Sequence, residues 1–346
     1  MSGHSPRGGS AALCTGLLMC GFALAGMVAA TAPGTVATDS PRSRAAQGEA
    51  ETLDPCLPGA ARVTDPDAAG RSAGGSEVTP RQAALYEQQL QEALGPLRGQ
   101  ELQPPHTVPV VVHVISAEDG RGEVSDERVR RQIDVLNAAY GGDTAASPAQ
   151  AAEAARRAGG AVTAAPTDTG FRFELSEVTR TTNEEWFTSF AEHRDTVHAE
   201  LRKGDAATLN IYTSNLGSGL LGYSSFPQDY EDAPEQDGVV ISHDTLPGGD
   251  RDRFNLGHTG THEVGHWLGL FHTFQNGCSS PGDYVDDTAY EREAASGCPE
   301  GRDTCPEQEG EDPVTNFMNY SDDACMTHFT EGQAARMVEH WAAFRA

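Results

Sequence analysis

The sequence predicts an α/β fold: a mixed, twisted five-stranded sheet with a histidine-bearing helix, followed by a loop-rich part that ends in one more helix. Three observations carry this. Five short runs rich in Val, Ile, Leu, Tyr and Phe recur between Val108 and His243, each of strand length. Between the first two, Val129, Ile133, Leu136 and Tyr140 recur at helical spacing and line one face. After the histidine-bearing stretch no regular period returns until Thr330. Strands alternating with helices make a helix-covered sheet.

Taken in order, residues 1–32 read as an export signal. Arg7 precedes an apolar run from about Ala11 to Ala30, with Val28-Ala29-Ala30 or Ala30-Thr31-Ala32 as cleavage sites. An uncleaved anchor is the competing reading, because the run is long enough to span a bilayer. No later segment is apolar enough, so no stable membrane association is expected after cleavage. Residues 33–105 read as a pro-region, rich in Ala, Gly, Ser, Thr, Asp and Pro and largely without order. It holds one helix, with Thr79 as cap, Pro80 first and Gly95-Pro96 as the stop. Residues 106–346 form the main domain.

That domain opens with a buried strand, Val108–Ile115, and a helix capped by Ser125. An Ala-rich insertion at Ala145–Thr169 follows, then a strand at Phe171–Val178 and a weakly patterned helix over Glu184–Leu201. Further strands are expected at Leu209–Thr213, Leu220–Pro227 and Gly238–His243. At the far end Thr330 and Gln333 can form a capping box, and Met337, Val338, Trp341 and Phe344 give one apolar face.

Net charge is −27, from 51 acidic and 24 basic residues, and the one lysine is Lys203. No basic surface can follow a phosphate backbone, which argues against nucleic acid. The acidity suits a secreted, soluble protein and leaves carboxylates free for calcium; a monomer is expected. Of seven cysteines, Cys14 and Cys20 leave with the signal, Cys56 stands alone, and Cys278, Cys298, Cys305 and Cys325 cluster late. Four cysteines in an oxidising compartment imply two disulfides with three pairings; a second metal site is the alternative.

The chemistry concentrates in His262-Glu263-Val264-Gly265-His266-Trp267-Leu268-Gly269-Leu270-Phe271-His272. Two histidines four apart on a helix point at one metal ion, and Glu263 is placed to hold a water beside it. Catalytic zinc takes three protein ligands. His272 supplies the third, after Gly269 lets the chain turn back. This extended spacing is the metzincin signature, and Asn316-Phe317-Met318-Asn319-Tyr320-Ser321 resembles that clan's methionine turn. With Cys325-Met326 and Phe329-Thr330, these motifs resemble the pappalysin (cytophagalysin-type) family of zinc metallopeptidases, from about Val108 to the C-terminus.

The resemblance implies an α+β metzincin-like catalytic domain: sheet and zinc helix in one subdomain, an irregular disulfide-stapled subdomain after it, and a cleft between them. It also implies the pairings Cys278–Cys305 and Cys298–Cys325, a Met318 floor under the zinc, and bound calcium. Asp283, Asp286, Asp287 and Thr288 offer oxygen ligands for that ion. The expected reaction is hydrolysis of protein or peptide bonds. Glu263 is the general base, and Tyr320 donates to the oxyanion or, alternatively, simply packs in the turn. Substrate is expected to lie extended along Gly222-Tyr223-Ser224. Asp322 and Asp323 suggest a basic residue after the cut bond, unless both are solvated or bind calcium. Cys56 is a candidate latency switch, its thiolate on the zinc of a zymogen, or a cysteine without that role. The rival reading is a secreted binding module with structural zinc; an intact Glu263 argues against it.

Overall fold

The computed structural model describes residues 61–64, 78–143 and 166–346. The signal segment, Cys56 and most of the Ala-rich insertion lie outside the described residues.

The fold is mixed α and β. Six strands form one sheet: β1 (Ala61–Val63), β2 (Val108–Ser116), β3 (Phe173–Thr182), β4 (Leu209–Ser214), β5 (Leu220–Ser224) and β6 (Val239–Ser242), in the order β1-β5-β6-β4-β2-β3. Strands β3, β2, β4 and β6 run parallel, while β5 lies antiparallel on β6. The sixth strand is the difference from the five expected. β1 comes from the region read as unordered, and it pairs antiparallel with β5, which would otherwise be the sheet edge.

Among the described residues six α-helices accompany the sheet. They are α1 (Pro80–Leu94), α2 (Asp126–Tyr140), α3 (Glu184–Thr188), α4 (Phe190–Leu201), α5 (His258–Trp267) and α6 (Glu331–Phe344). Side-chain caps start three of the long ones. Thr79, Ser125 and Thr330 accept from the backbone N–H of Gln82, Arg128 and Gln333, and Gln333 completes a capping box. The single helix expected over Glu184–Leu201 is two, because Ser189 leaves helical geometry at φ −136°.

Alternation along the strands divides the core into two layers. Val108, Val110, Val112 and Val114 pack with α2, α5 and α6 on one face. Ile115, Tyr212 and Val240 pack with Phe187, Phe190 and Val197 of α3 and α4 on the other. The zinc-helix candidate α5 is buried along its whole length. Its end is latched by Arg345, whose Nε donates to the Trp267 carbonyl at 3.0 Å while its guanidinium pairs with buried Asp237 at 3.0 Å.

From Leu268 to Phe329 the chain is irregular, and two disulfides tie it, Cys278–Cys305 and Cys298–Cys325. Each spans 27 residues, and the spans overlap. Loop-closure entropy for that length is about 3–4 kcal/mol per bridge. Replacing Cys278 and Cys305 together by serine should lower unfolding stability by about that amount in a urea titration. A loss under about 1 kcal/mol would mean that side-chain contacts already hold the loop.

Candidate active site

Helix α5 places His262 and His266 one turn apart, and the chain then reverses at Gly269. That residue has φ +94°, and a Cβ there would meet the His340 ring at 2.2 Å. Only glycine satisfies both the left-handed backbone and the close approach. The reversal carries His272 back to the other two. The Nε2 atoms of His262 and His266 are 3.1 Å apart, and those of His266 and His272 are 3.0 Å apart.

Hydrogen bonds fix two of these rings. Nδ1 of His262 lies 2.7 Å from the Phe317 carbonyl and Nδ1 of His266 lies 2.7 Å from the Leu270 carbonyl. A carbonyl only accepts, so each Nδ1 carries the proton and each Nε2 presents its lone pair. Burial holds all three imidazoles below the usual histidine range, His266 at about 4. Three neutral nitrogens with converging lone pairs repel one another unless a cation sits among them. This donor set fits zinc. Among the described residues it is the one group of three or more His, Cys, Asp or Glu side chains able to share a metal ion.

Met318 lies beneath. It is fully buried, and a Cβ on Gly265 of α5 would meet its Sδ at 2.4 Å. Glycine at that position lets the helix rest on the turn.

Glu263 is also fully buried, and burial pushes its carboxyl well above the usual range. Its Oε1 accepts the backbone N–H of Arg62 at 3.2 Å. The Tyr320 hydroxyl donates to the Ala61 carbonyl. The two atoms flanking one peptide bond, Ala61–Arg62, therefore face Glu263 and Tyr320.

The Arg62 side chain fills a closed pocket. Nη1 contacts Asp323 Oδ1 at 3.0 Å and Thr259 Oγ1 at 3.3 Å, and Nη2 donates to the Ser321 carbonyl at 2.7 Å. The Phe254 ring lies 5.2 Å away. Asp323 is held in turn by the N–H groups of Leu256 and His258 on its Oδ2. Asp322 points elsewhere and pairs with Arg253 at 2.6 Å. Of the two acids, the structure brings only Asp323 to the arginine.

Sequence reasoning did not find Arg62 or Glu291. Glu291 is a buried acid whose two oxygens accept from Asn319, Thr273 and Arg302 at 2.7–3.0 Å. It ties the residue after His272 to the residue before Tyr320. Burial raises its carboxyl to about 7. No local pattern in the sequence marks it.

Among the calcium candidates, Asp283 and Thr288 are buried while Asp286 and Asp287 are exposed. Asp287 accepts the Gly332 N–H at 2.8 Å. Asp283 Oδ1 accepts the Val285 N–H at 3.1 Å. Asp283 Oδ2 and Thr288 Oγ1 have no hydrogen-bond partner within ordinary geometry.

Comparison with known proteins agrees with this geometry. Residues 200–342 match the peptidase M43 family described as Pregnancy-associated plasma protein-A. An extracellular metalloprotease of Colletotrichum graminicola is 44% identical over 248 residues, covering 70% of this chain and 79% of that protein. The chain belongs to the M43 family. A second extracellular metalloprotease, from Pyricularia oryzae, is 41% identical over 69% of this chain and 76% of its own length. Among solved structures, a promirolysin mutant of Tannerella forsythia covers 76% of this chain and 87% of its own, at TM-score 0.61 and 28% identity. Mature mirolysin with a cleaved peptide covers 68% of this chain and 91% of its own, at 0.56 and 31%. With its histidine triad, this M43 chain is a zinc metalloendopeptidase whose substrates are proteins or peptides.

Proposed function

We propose that this M43 enzyme is secreted, works as a monomer free of membranes, and cleaves extended chains on the amino side of a basic residue, arginine above lysine. The observation that carries this reading is the seat of Arg62. A buried carboxylate, a hydroxyl and a carbonyl receive its two terminal nitrogens. The planar fork of arginine reaches all three, whereas the single ammonium of lysine cannot span them. Substrate joins β5 as an added strand, as β1 does.

Zinc held by His262, His266 and His272 would activate water and polarise the scissile carbonyl. Glu263 takes the proton from that water and returns it to the leaving nitrogen, the position that the Arg62 N–H now occupies. Tyr320 donates a hydrogen bond from its hydroxyl to the carbonyl oxygen as charge develops there. The test is cleavage-site profiling on a peptide library. Arginine should dominate the position after the cut, and an apolar preference there would count against the reading. Secretion accords with the extracellular naming of the fungal relatives. Among the described residues no helix is long and apolar enough to cross a membrane.

Calcium near Asp283 and Thr288, with Asp286 and Asp287 in the same loop, is part of this proposal. Burial raises the Asp283 carboxyl from 3.8 to about 8, and Arg336 is the charged group that opposes this shift. A carboxyl whose folded pKa is raised favours folding at low pH, and that contribution is lost as pH climbs from about 4 to about 8. A bound cation reverses the preference by stabilising the ionised form. With a calcium-selective chelator present, the melting temperature should therefore fall between pH 5 and pH 8. Added calcium should raise it at pH 8 and do little at pH 5, and Asp283→Asn should abolish the difference. A calcium response equal at both pH values would place the ion elsewhere.

A further inference from the structure

A chain laid along β5 must turn alternate side chains to opposite faces of the sheet, and one of those faces has room. Ala61, Tyr223, Val240 and Tyr212 stand side by side in one row across β1, β5, β6 and β4. All four pack on the side that α3 and α4 cover. Arg62 turns to the other side, toward Asp323. The next row continues the pairing, since the Ser225 N–H donates to the Gly238 carbonyl at 3.1 Å. It lacks the bulk of the first. Gly238 has no side chain, and the Ser225 hydroxyl is turned aside to Asp237 at 3.0 Å. A cavity of about 290 Å³ takes up the space, lined by Tyr223 and Gly238 of the sheet, His198 of α4, and Tyr230, Ala233 and Gln236 of the loop between β5 and β6. The three loop residues are half-buried, so the cavity reaches the surface.

Its polar atoms await an occupant. Among the described residues Nδ1 and Nε2 of His198 and Oε1 of Gln236 have no hydrogen-bond partner. His198 is 2% exposed, and its ring lies on that of Tyr212 with centroids 4.3 Å apart. Burial pushes the imidazole down to about 3, so at neutral pH it carries no charge, and one nitrogen donates while the other accepts. Unmade hydrogen bonds on a buried ring are costly. The fitting occupant has an apolar body and an uncharged tip that both donates and accepts. An acidic tip would meet the carboxylates of Asp229 and Asp237, and a basic tip the guanidinium of Arg194.

We infer that this cavity is a second specificity site, which takes a tyrosine side chain from the third residue before the cut bond. The inference rests on the reading that substrate joins β5 with its cut bond held where the Ala61–Arg62 peptide lies. Register gives the position. The residue before the cut stands opposite Tyr223, and each step back along an antiparallel substrate is one step forward along β5. The third residue therefore stands opposite Ser225. Two steps return a side chain to the same face, so it points to the α4 side as Ala61 does. Its ring enters between Tyr223 and Tyr230, and its hydroxyl donates to Gln236 Oε1 and accepts the His198 N–H. The enzyme then reads two side chains from opposite faces of one strand, one on each side of the cut.

The experiment uses the enzyme secreted from the full chain with zinc bound, and quenched peptides with one arginine after the cut bond. Tyrosine, phenylalanine or alanine occupies the third residue before the cut, and a further peptide carries tyrosine at the second. Tyrosine at the third residue should raise kcat/KM over alanine by about tenfold or more, the effect of burying one aromatic ring. It should exceed phenylalanine by about fivefold, the effect of one hydrogen bond between uncharged groups. Tyrosine at the second residue faces away and should gain nothing. Ala233→Leu fills the cavity and should bring tyrosine and alanine level. His198→Phe keeps a ring on Tyr212 and should erase the advantage of tyrosine over phenylalanine. Each result is a ratio within one preparation, so a variant with a reduced folded fraction still reports. Should His198→Phe yield no active enzyme, Gln236→Ala takes its place with the same expectation. Arginine peptides cut equally fast whatever the third residue, or a tyrosine preference that survives Ala233→Leu, overturn the inference and leave the arginine reading standing. If no peptide is cut before its arginine, both fall.

Discussion

Replacing Glu263 with alanine is expected to lower peptide hydrolysis by about 10²–10⁴-fold and to leave zinc bound. The two effects separate because the metal site does not depend on this side chain. His262 and His266 are oriented by the carbonyls of Phe317 and Leu270, and His272 is delivered by the turn at Gly269. Glu263 contacts none of those anchors; its Oε1 faces the nitrogen of the bound peptide bond instead. Zinc content and turnover of the quenched arginine peptide, measured on the same preparation, check this. A variant that keeps zinc and most of its activity would show that another group moves the proton. A variant that loses its zinc would show that Glu263 shapes the site.

The second large effect is expected at Asp323. Removing one partner of a buried, hydrogen-bonded charge pair costs about 2–5 kcal/mol, or roughly thirty-fold to several thousand-fold in kcat/KM for an arginine peptide. A peptide with leucine in that position never used the carboxylate and should lose little. The ratio of the two rates is therefore the quantity to measure, because it cancels differences in the folded fraction. Asp323 also accepts the N–H groups of Leu256 and His258 where α5 begins, so alanine there also disturbs the zinc helix. Asparagine preserves the shape and one acceptor oxygen. Asp323→Asn should show the loss of selectivity with a smaller change in stability. If the ratio stays unchanged in both variants, basic residues are read elsewhere.

Much of the zinc site was legible because its chemistry demands fixed spacing. Two histidines one helical turn apart, a glycine that turns the chain and a third histidine leave few alternatives. The strands from Val108 to Ser242 show in the sequence because sheet pairing asks for runs of branched and aromatic residues, which that region supplies. β1 could not be read this way. Ala61-Arg62-Val63 is too short to carry a period, and it is extended because β5 offers an open row of backbone partners. Its meaning is positional and appears only in three dimensions. Asp322 and Asp323 make the same point at single-residue scale. Adjacent in a turn, they project to different sides, one to a surface arginine and one into the pocket. Glu291 escapes for another reason, since burial is what makes a loop acid important and a loop has no repeat to reveal burial.

The latch at the end of α6 bears on when this enzyme can act. Arg345 holds the last carbonyl of the zinc helix across 78 positions of sequence, and Asp237, which neutralises it, also receives the Trp267 indole N–H at 3.1 Å. A chain made or exported from its N-terminus presents its histidines long before this arginine emerges. Until then Asp237 has only the more distant Arg202, at 4.0 Å, and the zinc helix lacks its clasp. A fragment that stops short of Arg345 leaves the Trp267 carbonyl without this donor, so the zinc helix and the segment around Arg345 are expected to fold and unfold as one unit.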